Sequence, residues 1–437
     1  MIYIFIYFKF FIILKMSINV LIFNCGSSSL SCQIFQYASK EDKNLQSIFS
    51  AKGHRVSTKS TEKPFIEYHL KTNKKDLTEQ YDTLTHALAC NKMIRFLHQN
   101  QVKISFIGHR FVHSGGLFEE SAFLSPDVYE KLKGCLNFAP IHNPAAISVI
   151  DECSGFYGKN GVEEVKQFVV FDTSFHSGIE PGYYTYAIDQ NIAEKYKFRK
   201  FGFHGLSYQY VTEAVTKHLK SPTGKMIACH LGTGGASCAA IENGKTVDTS
   251  MGWGTIPGLV MSTRSGDIDP GVVISLIRDL KMTPEEADKF LSTKSGLVGL
   301  TRGLTSDLRD IYSIGIDKRG TYSEEQRKDC KIAFEVYVNR LVGTIGEFIA
   351  KLGGIDILCF TDDLGFNMWQ LRDAVCERLK FIGMAIDKNK NQETSKGKGQ
   401  LATSDVAEIH AADSKVKIYV VKNDEEIVIA REASKYF

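Results

Sequence analysis

Two stretches of this chain follow one plan. INVLIFN (18 to 24) reads as an apolar strand, CGSSS as a small polar turn and LSCQIFQY as a second strand; further on, MIACHL, GTGG and ASCAAIEN repeat strand, turn and strand. A chain that begins each half with the same unit is constrained to an internal duplication of one α/β module. At 437 residues it exceeds what a single hydrophobic core covers, so two packed domains with a cleft between them are expected.

The two turns carry different information. Gly232, Gly234 and Gly235 in LGTGG permit a close backbone approach to a phosphate and are not core filler. Asn24 and the serines of CGSSS offer hydroxyls and N–H groups to an anion, and an ordinary Ser/Gly hairpin explains them as well. Between these units lie several polar groups in unusual settings. Arg110 sits inside the apolar strand of ISFIGHRFVH, where an unpaired guanidinium is costly, so it must meet a carboxylate or a ligand anion. Asp172 ends the apolar strand of KQFVVFD, a position that suits a catalytic acid or a cap. His142 lies between two prolines just before a helix. His204, in KFGFHGLSYQYV with a helix expected from Ser207, suits either a charge stabiliser beside an anion or a hydrogen-bonded core histidine. His109 and His113 have i, i+4 spacing, but no further ligand cluster stands near them, which argues against a metal site.

Composition removes other classes. A formal charge of +3 is too small for a nucleic-acid binder, and 43% hydrophobic with 24% charged residues is an ordinary globular balance. Ten cysteines without a CxxC indicate buried free thiols and a reducing, cytoplasmic setting. The opening MIYIFIYFKFFIIL is shorter than the roughly 20 apolar residues of a spanning helix; residues 1–15 read as an extension upstream of a start at Met16, with a signal-anchor as the alternative. A helix is expected within 81–100, further strand and loop over 40–80, and a polar surface loop over 387–400.

In order along the chain stand NCGSSSL, GHRFVH, APIHNP, FDTSFH, FGFHGLS, CHLGTGG, DTSMG, TRSGDIDP, TSDLRDI and NDEEIVIAR. From about Ile18 to Arg431 this series resembles the acetate kinases. The resemblance implies an α/β protein with the two-domain acetate and sugar kinase, Hsp70 and actin fold (ribonuclease H-like): duplicated mixed sheets flanked by helices around a central cleft. Residues 16–176 with 427–437 would form the first domain and 177–426 the second, and the chain would be a homodimer with no membrane or nucleic-acid partner. Arg110 and Arg264 would hold the acetyl phosphate anion, His204 would stabilise the transferring phosphoryl group, and Asp172 would be the essential acid. His142, His230, Asp307 and Arg309 would contact substrate, and Asn24 and Glu425 would be linked to Mg²⁺. Val112, Ile141 and Phe203 would wall a methyl-sized pocket, with Thr255 where the family usually has proline.

Three departures fall on the other substrate. Ser31 stands where the family's opening motif ends in lysine, HLGTGGAS replaces HLGNGAS, and the adenosine-contacting FTGGIGEN becomes FTDDLGFN (360 to 367). Carboxylates at two glycine positions occupy volume and repel a polyphosphate. With Trp369, Gln370 and Arg372 following, the combination resembles the diphosphate-dependent acetate kinases, which implies acetate or acetyl phosphate as one substrate and phosphate or diphosphate as the other. An ATP-dependent acetate kinase with a repacked adenosine pocket is the alternative, and a non-catalytic phosphate- or nucleotide-sensing module a more distant one.

Overall fold

The computed structural model describes residues 18–39, 45–58, 62–71, 75–140, 142–159, 165–397 and 399–437. The expectations for residues 1–15 and for Ile141 lie outside the described residues. Strand β1 (Ile18–Cys25) returns as β2 (Ser29–Tyr37), and the stretch read as strand and loop supplies β3 (Gln46–His54), β4 (Phe65–Leu70) and β5 (Lys75–Gln80). With β6 (Phe106–Phe111), β7 (Ala122–Phe123) and β8 (Lys166–Phe171) they form one mixed sheet in the order β5-β4-β3-β2-β1-β6-β8-β7. The second sheet contains β9 (Lys225–Leu231), β10 (Ala236–Glu242), β11 (Lys245–Thr249), β12 (Ile357–Thr361), β13 (Val406–Glu408) and β14 (Lys417–Val421), in the order β11-β10-β9-β12-β14-β13.

The duplication is visible in the pairing. β1 runs antiparallel to β2 and parallel to β6, which is parallel to β8. β9 repeats this, antiparallel to β10 and parallel to β12, which is parallel to β14. In each half the ends of the three parallel strands therefore lie at one edge of a sheet, where open α/β sheets place their ligands. One apolar cluster joins the halves: Val20, Ile22, Phe168 and Val170 of the first sheet meet Met226, Ala228 and Ala239 of the second through Tyr208, Val211, Val428 and Ile429. Those last four residues belong to the helices Gly205–Leu219 and Glu425–Glu432, whose apolar faces are buried between the sheets.

Local signals explain where helices start. The helix expected within 81–100 runs His86–Gln99 because the Thr85 hydroxyl accepts from the Leu88 N–H; Leu84 is buried just before it. The stretch 387–400, read from its polarity as a surface loop, is instead partly helical (Lys388–Thr394), with Asn391 fully buried. The cause is Arg372, itself fully buried, which donates to the Asn391 side chain and carbonyl, to Ser395, and to the carbonyls of Gly365 and Phe366. Polar residues are needed there to satisfy a guanidinium that has no carboxylate partner among the described residues. No described helix is long and apolar enough to cross a membrane.

Burial also makes the fold sensitive to acid. It pushes His109, His113 and His176 down to about 4. Between that value and their ordinary range the unfolded chain binds more protons, so the stability they contribute is present above about pH 6.5 and is lost as pH falls. Thermal unfolding followed at pH 7.5 and pH 5 is expected to show a midpoint several degrees lower in acid; equal midpoints would contradict the burial of these rings as neutral groups.

Candidate active site

The end of β6 carries Arg110 and the residue after β8 is Asp172, so parallel pairing sets them side by side. Arg110 Nε donates to Asp172 Oδ1 at 2.7 Å and Nη2 to Oδ2 at 2.5 Å, a bidentate pair in which the carboxylate is 1% exposed. The same guanidinium reaches Asn24 Oδ1, 2.8 Å away at the end of β1, and Glu425 at 3.4 Å. Asn24 in turn donates to Glu425 and Glu426, both at 3.2 Å. Burial, then the neighbouring Glu425 and Asp424, push the Glu426 carboxyl up to about 7.

The residues around His204 explain its sequence context. The carbonyl of Asp172 accepts from the Gly205 N–H at 3.0 Å, and a Cβ on Gly205 would lie 2.1 Å from that oxygen, so only glycine fits. His176 Nε2 donates to the Phe203 carbonyl at 2.9 Å. Between these anchors His204 is held in the left-handed region at φ 57° and caps the helix, which begins at Gly205, two residues before the expected Ser207. Its Nδ1 lies 2.7 Å from Ser237 Oγ, and Ser237 Oγ lies 2.5 Å from the Tyr208 hydroxyl. With Ser237 Oγ donating to Nδ1, the neutral ring carries its proton on Nε2, the tautomer that serves an anion. Burial, aided by His230, Arg110 and Arg264, holds His204 well below the ordinary histidine range, so the ring is neutral near pH 7.

Nε2 faces Gly235, where a Cβ would come within 3.3 Å of it and 3.8 Å of Arg264 Nη1. Arg264 donates to the Thr255 carbonyl at 3.0 Å and has no carboxylate partner among the described residues. A largely desolvated, unpaired guanidinium beside an N–H donor is suited to an anion. Thr255, with Phe138, Pro140, His142 and Trp253, lines a cleft of about 560 Å³. Burial and both arginines push His142 down to about 4. Val112 and Phe203, expected as pocket walls, are 5% and 1% exposed and pack in the core; Trp253 and Phe138, which the sequence did not single out, line the cleft.

Most of the other expected contacts also meet protein groups. Both nitrogens of His230 are engaged by protein: Nδ1 with Ser207 Oγ at 2.8 Å and Nε2 with Asp362 Oδ2 at 3.0 Å. Burial opposes charge on this ring, but the Asp362 carboxylate outweighs it and raises the pKa. Arg309 forms ion pairs with Asp307 at 2.7 Å and with Asp363 at 3.3 Å. Gly232 closes the turn by donating to the Gly235 carbonyl at 3.0 Å, while nothing lies within 4 Å of a Cβ at Gly234. Of the groups that matter here, Ser237, Tyr208 and Glu426 were not singled out by the sequence. The i to i+29 spacing of Tyr208 and Ser237 across a helix and a strand gives no periodic signal.

Replacing Ser237 with Ala removes the tautomer lock on His204 and leaves the fold intact. Steady-state kinetics are expected to show a kcat at least about tenfold lower with the thermal midpoint little changed; an unchanged kcat would rule the lock out.

Known proteins share the sequence and the overall fold of this chain. A model described as the Acetokinase family matches residues 19–431. The acetate kinase of Dictyoglomus turgidum is 38% identical over 420 residues, covering 95% of this chain and 96% of that protein. Among solved structures, acetate kinase from Entamoeba histolytica superposes with a TM-score of 0.81 at 40% identity, covering 95% of this chain and 99% of that one. A propionate kinase from Francisella tularensis gives 0.81 at 29%, covering 95% and 98%. The ordered motifs and the arginine, aspartate and histidine cluster have one common explanation: this chain belongs to the acetokinase family.

Proposed function

We propose that this chain transfers a phosphoryl group between acetyl phosphate and inorganic phosphate, with acetate and diphosphate as the other pair. Family membership supports the coarser part, a phosphotransferase acting at a carboxyl group. The transfer is direct and in line: the bond from phosphorus to the acyl oxygen breaks as a phosphate oxygen bonds to phosphorus. With both phosphates as dianions, the products acetate and singly protonated diphosphate balance charge and protons, so no side chain has to act as a base. In this reading Asp172 orients Arg110, and Arg110, Arg264 and His204 Nε2–H meet the charge on the transferring oxygens. His142 lines the acyl side.

Among the described residues no cluster of three or more metal-ligating side chains exists. Mg²⁺ commonly needs only one or two carboxylates, with water and substrate phosphates completing its shell. Glu425 with Asn24, beside the enclosed Glu426, fits that demand, and these residues would hold the ion. Bound there, Mg²⁺ would offset phosphate charge.

The observation that supports inorganic phosphate as the acceptor is the position of Asp362. It follows β12 and leans over the glycine turn, so that a Cβ on Gly232 would lie 2.4 Å from its Oδ2. Asp363 occupies the next position and is tied to Arg309. Two carboxylates at this edge disfavour a nucleotide's phosphate tail and leave room for a compact anion. The retained glycines of LGTGG favour the second reading, an ATP-dependent enzyme with a repacked pocket.

All ten cysteines are buried and free, which supports a reducing, cytoplasmic setting. We also propose a homodimer, because Ile188, Ile192, Val272, Ile274 and Leu280 are 46% or more exposed and too apolar to be left in water. Light scattering should give twice the chain mass, and a monomer at micromolar concentration would refute this. For the acceptor, acetyl phosphate is offered with Mg²⁺ and either phosphate or ADP. Diphosphate formation is expected to exceed ATP formation by at least about 100-fold in kcat/KM, a difference of roughly 3 kcal/mol; efficient ATP formation would establish the second reading instead.

A further inference from the structure

We infer that Asp362 is a positioning residue for the transfer reaction: by fixing the His230 ring, it sets the face against which His204 is held. His230 and Thr361 are register partners in β9 and β12, and Asp362 is the next residue after Thr361. There the backbone enters the left-handed region at φ 63°, a conformation that a residue with a side chain adopts only when its surroundings enforce it. The turn brings the carboxylate back over β9, where Oδ2 accepts from His230 Nε2 at 3.0 Å. At the other end of the ring, Nδ1 meets Ser207 Oγ at 2.8 Å.

A ring held at both nitrogens has no polar group left for a substrate. What it presents is its face, which stacks on His204 with ring centroids 4.0 Å apart and 23° between planes. His204 is thus fixed at its edge by Ser237 and on its face by His230, and Nε2 is left aimed toward Gly235 and Arg264. The chain of contact runs from Asp362 through His230 to His204 and uses only protein atoms. A left-handed aspartate with this role differs from a surface ion pair: His230 is 7% exposed, so losing its partner frees a buried ring to rotate. A rotation there shifts His204, and displacement of a group that meets the transferring oxygens lowers the rate without changing the cleft lined by His142, Thr255 and Trp253.

This inference rests on His204 being the group that meets the phosphoryl oxygens, and its test separates the two claims. Asp362→Gly removes the hydrogen bond and relieves the backbone strain, whereas Asp362→Asn keeps an oxygen for the Nε2 proton. For Asp362→Gly the expected result is a thermal midpoint at or above the parent's, a kcat about tenfold lower and a KM for acetyl phosphate within about twofold. Asp362→Asn should recover most of that kcat. In ¹⁵N-resolved NMR, the His230 Nε2 proton should be retained in Asp362→Asn and lost to exchange in Asp362→Gly. Running each assay at saturating phosphate and at saturating ADP separates a lower turnover from a change in acceptor preference. A parental kcat in Asp362→Gly, or a loss confined to KM, overturns the positioning role while His204→Ala still abolishes turnover. A parental kcat in His204→Ala overturns the reading of His204 and this inference with it.

Discussion

The bidentate pair between Arg110 and Asp172 is the contact on which the rest of the site depends. It closes the ends of two parallel strands, and through Asn24 and Glu425 it ties them to β1 and to the C-terminal helix. Removing Arg110 would leave the Asp172 carboxylate buried without its ion-pair partner, typically about 3 to 5 kcal/mol of lost stability. The pair also divides the charge of the site. Asp172 offsets Arg110, whereas Arg264 donates to the Thr255 carbonyl and has no carboxylate partner among the described residues. An arginine already held by a carboxylate is fixed in direction and pays little entropy when an anion arrives.

Duplication then divides the remaining work between two sheet edges. The first sheet supplies Arg110 and Asp172 with Asn24; the second supplies His230, the glycine turn and Asp362. His204 belongs to neither sheet. It caps a helix packed between them and carries left-handed strain, compensated by hydrogen bonds to the residues on either side of it. A neutral Nε2–H donor placed among guanidinium groups is useful to a reaction whose charge is spread over equatorial phosphoryl oxygens, because it adds a contact without another buried cation.

The fold was legible because its signals are local and repeated: apolar strands flank glycine and serine turns twice, and both hairpins and the strands read after them occur where the sequence placed them. The site was legible where chemistry conflicted with environment, as with an arginine in an apolar strand and a carboxylate at a strand end. What the sequence left open were contacts between distant, ordinary residues. Nothing marks Ser237 as the partner of His204 or Tyr208 as the partner of Ser237. Polarity misread 387–400 because Asn391 and Ser395 serve a buried arginine and do not face water. Nothing near His230 in sequence marks its partner, because Asp362 follows a strand far away along the chain, and only parallel pairing of β9 with β12 brings them together.

The central claim is that Arg110, Arg264 and the Nε2–H of His204 surround the phosphoryl group as it passes to inorganic phosphate. Crystals grown with acetate, Mg²⁺, aluminium fluoride and phosphate test it most directly. The expected result is a planar fluoride mimic within hydrogen-bond distance of His204 Nε2 and both guanidinium groups, with acetate on the His142 side and phosphate beside the Gly232–Gly235 turn. A mimic bound out of reach of His204, or one that forms only when ADP replaces phosphate, would contradict it.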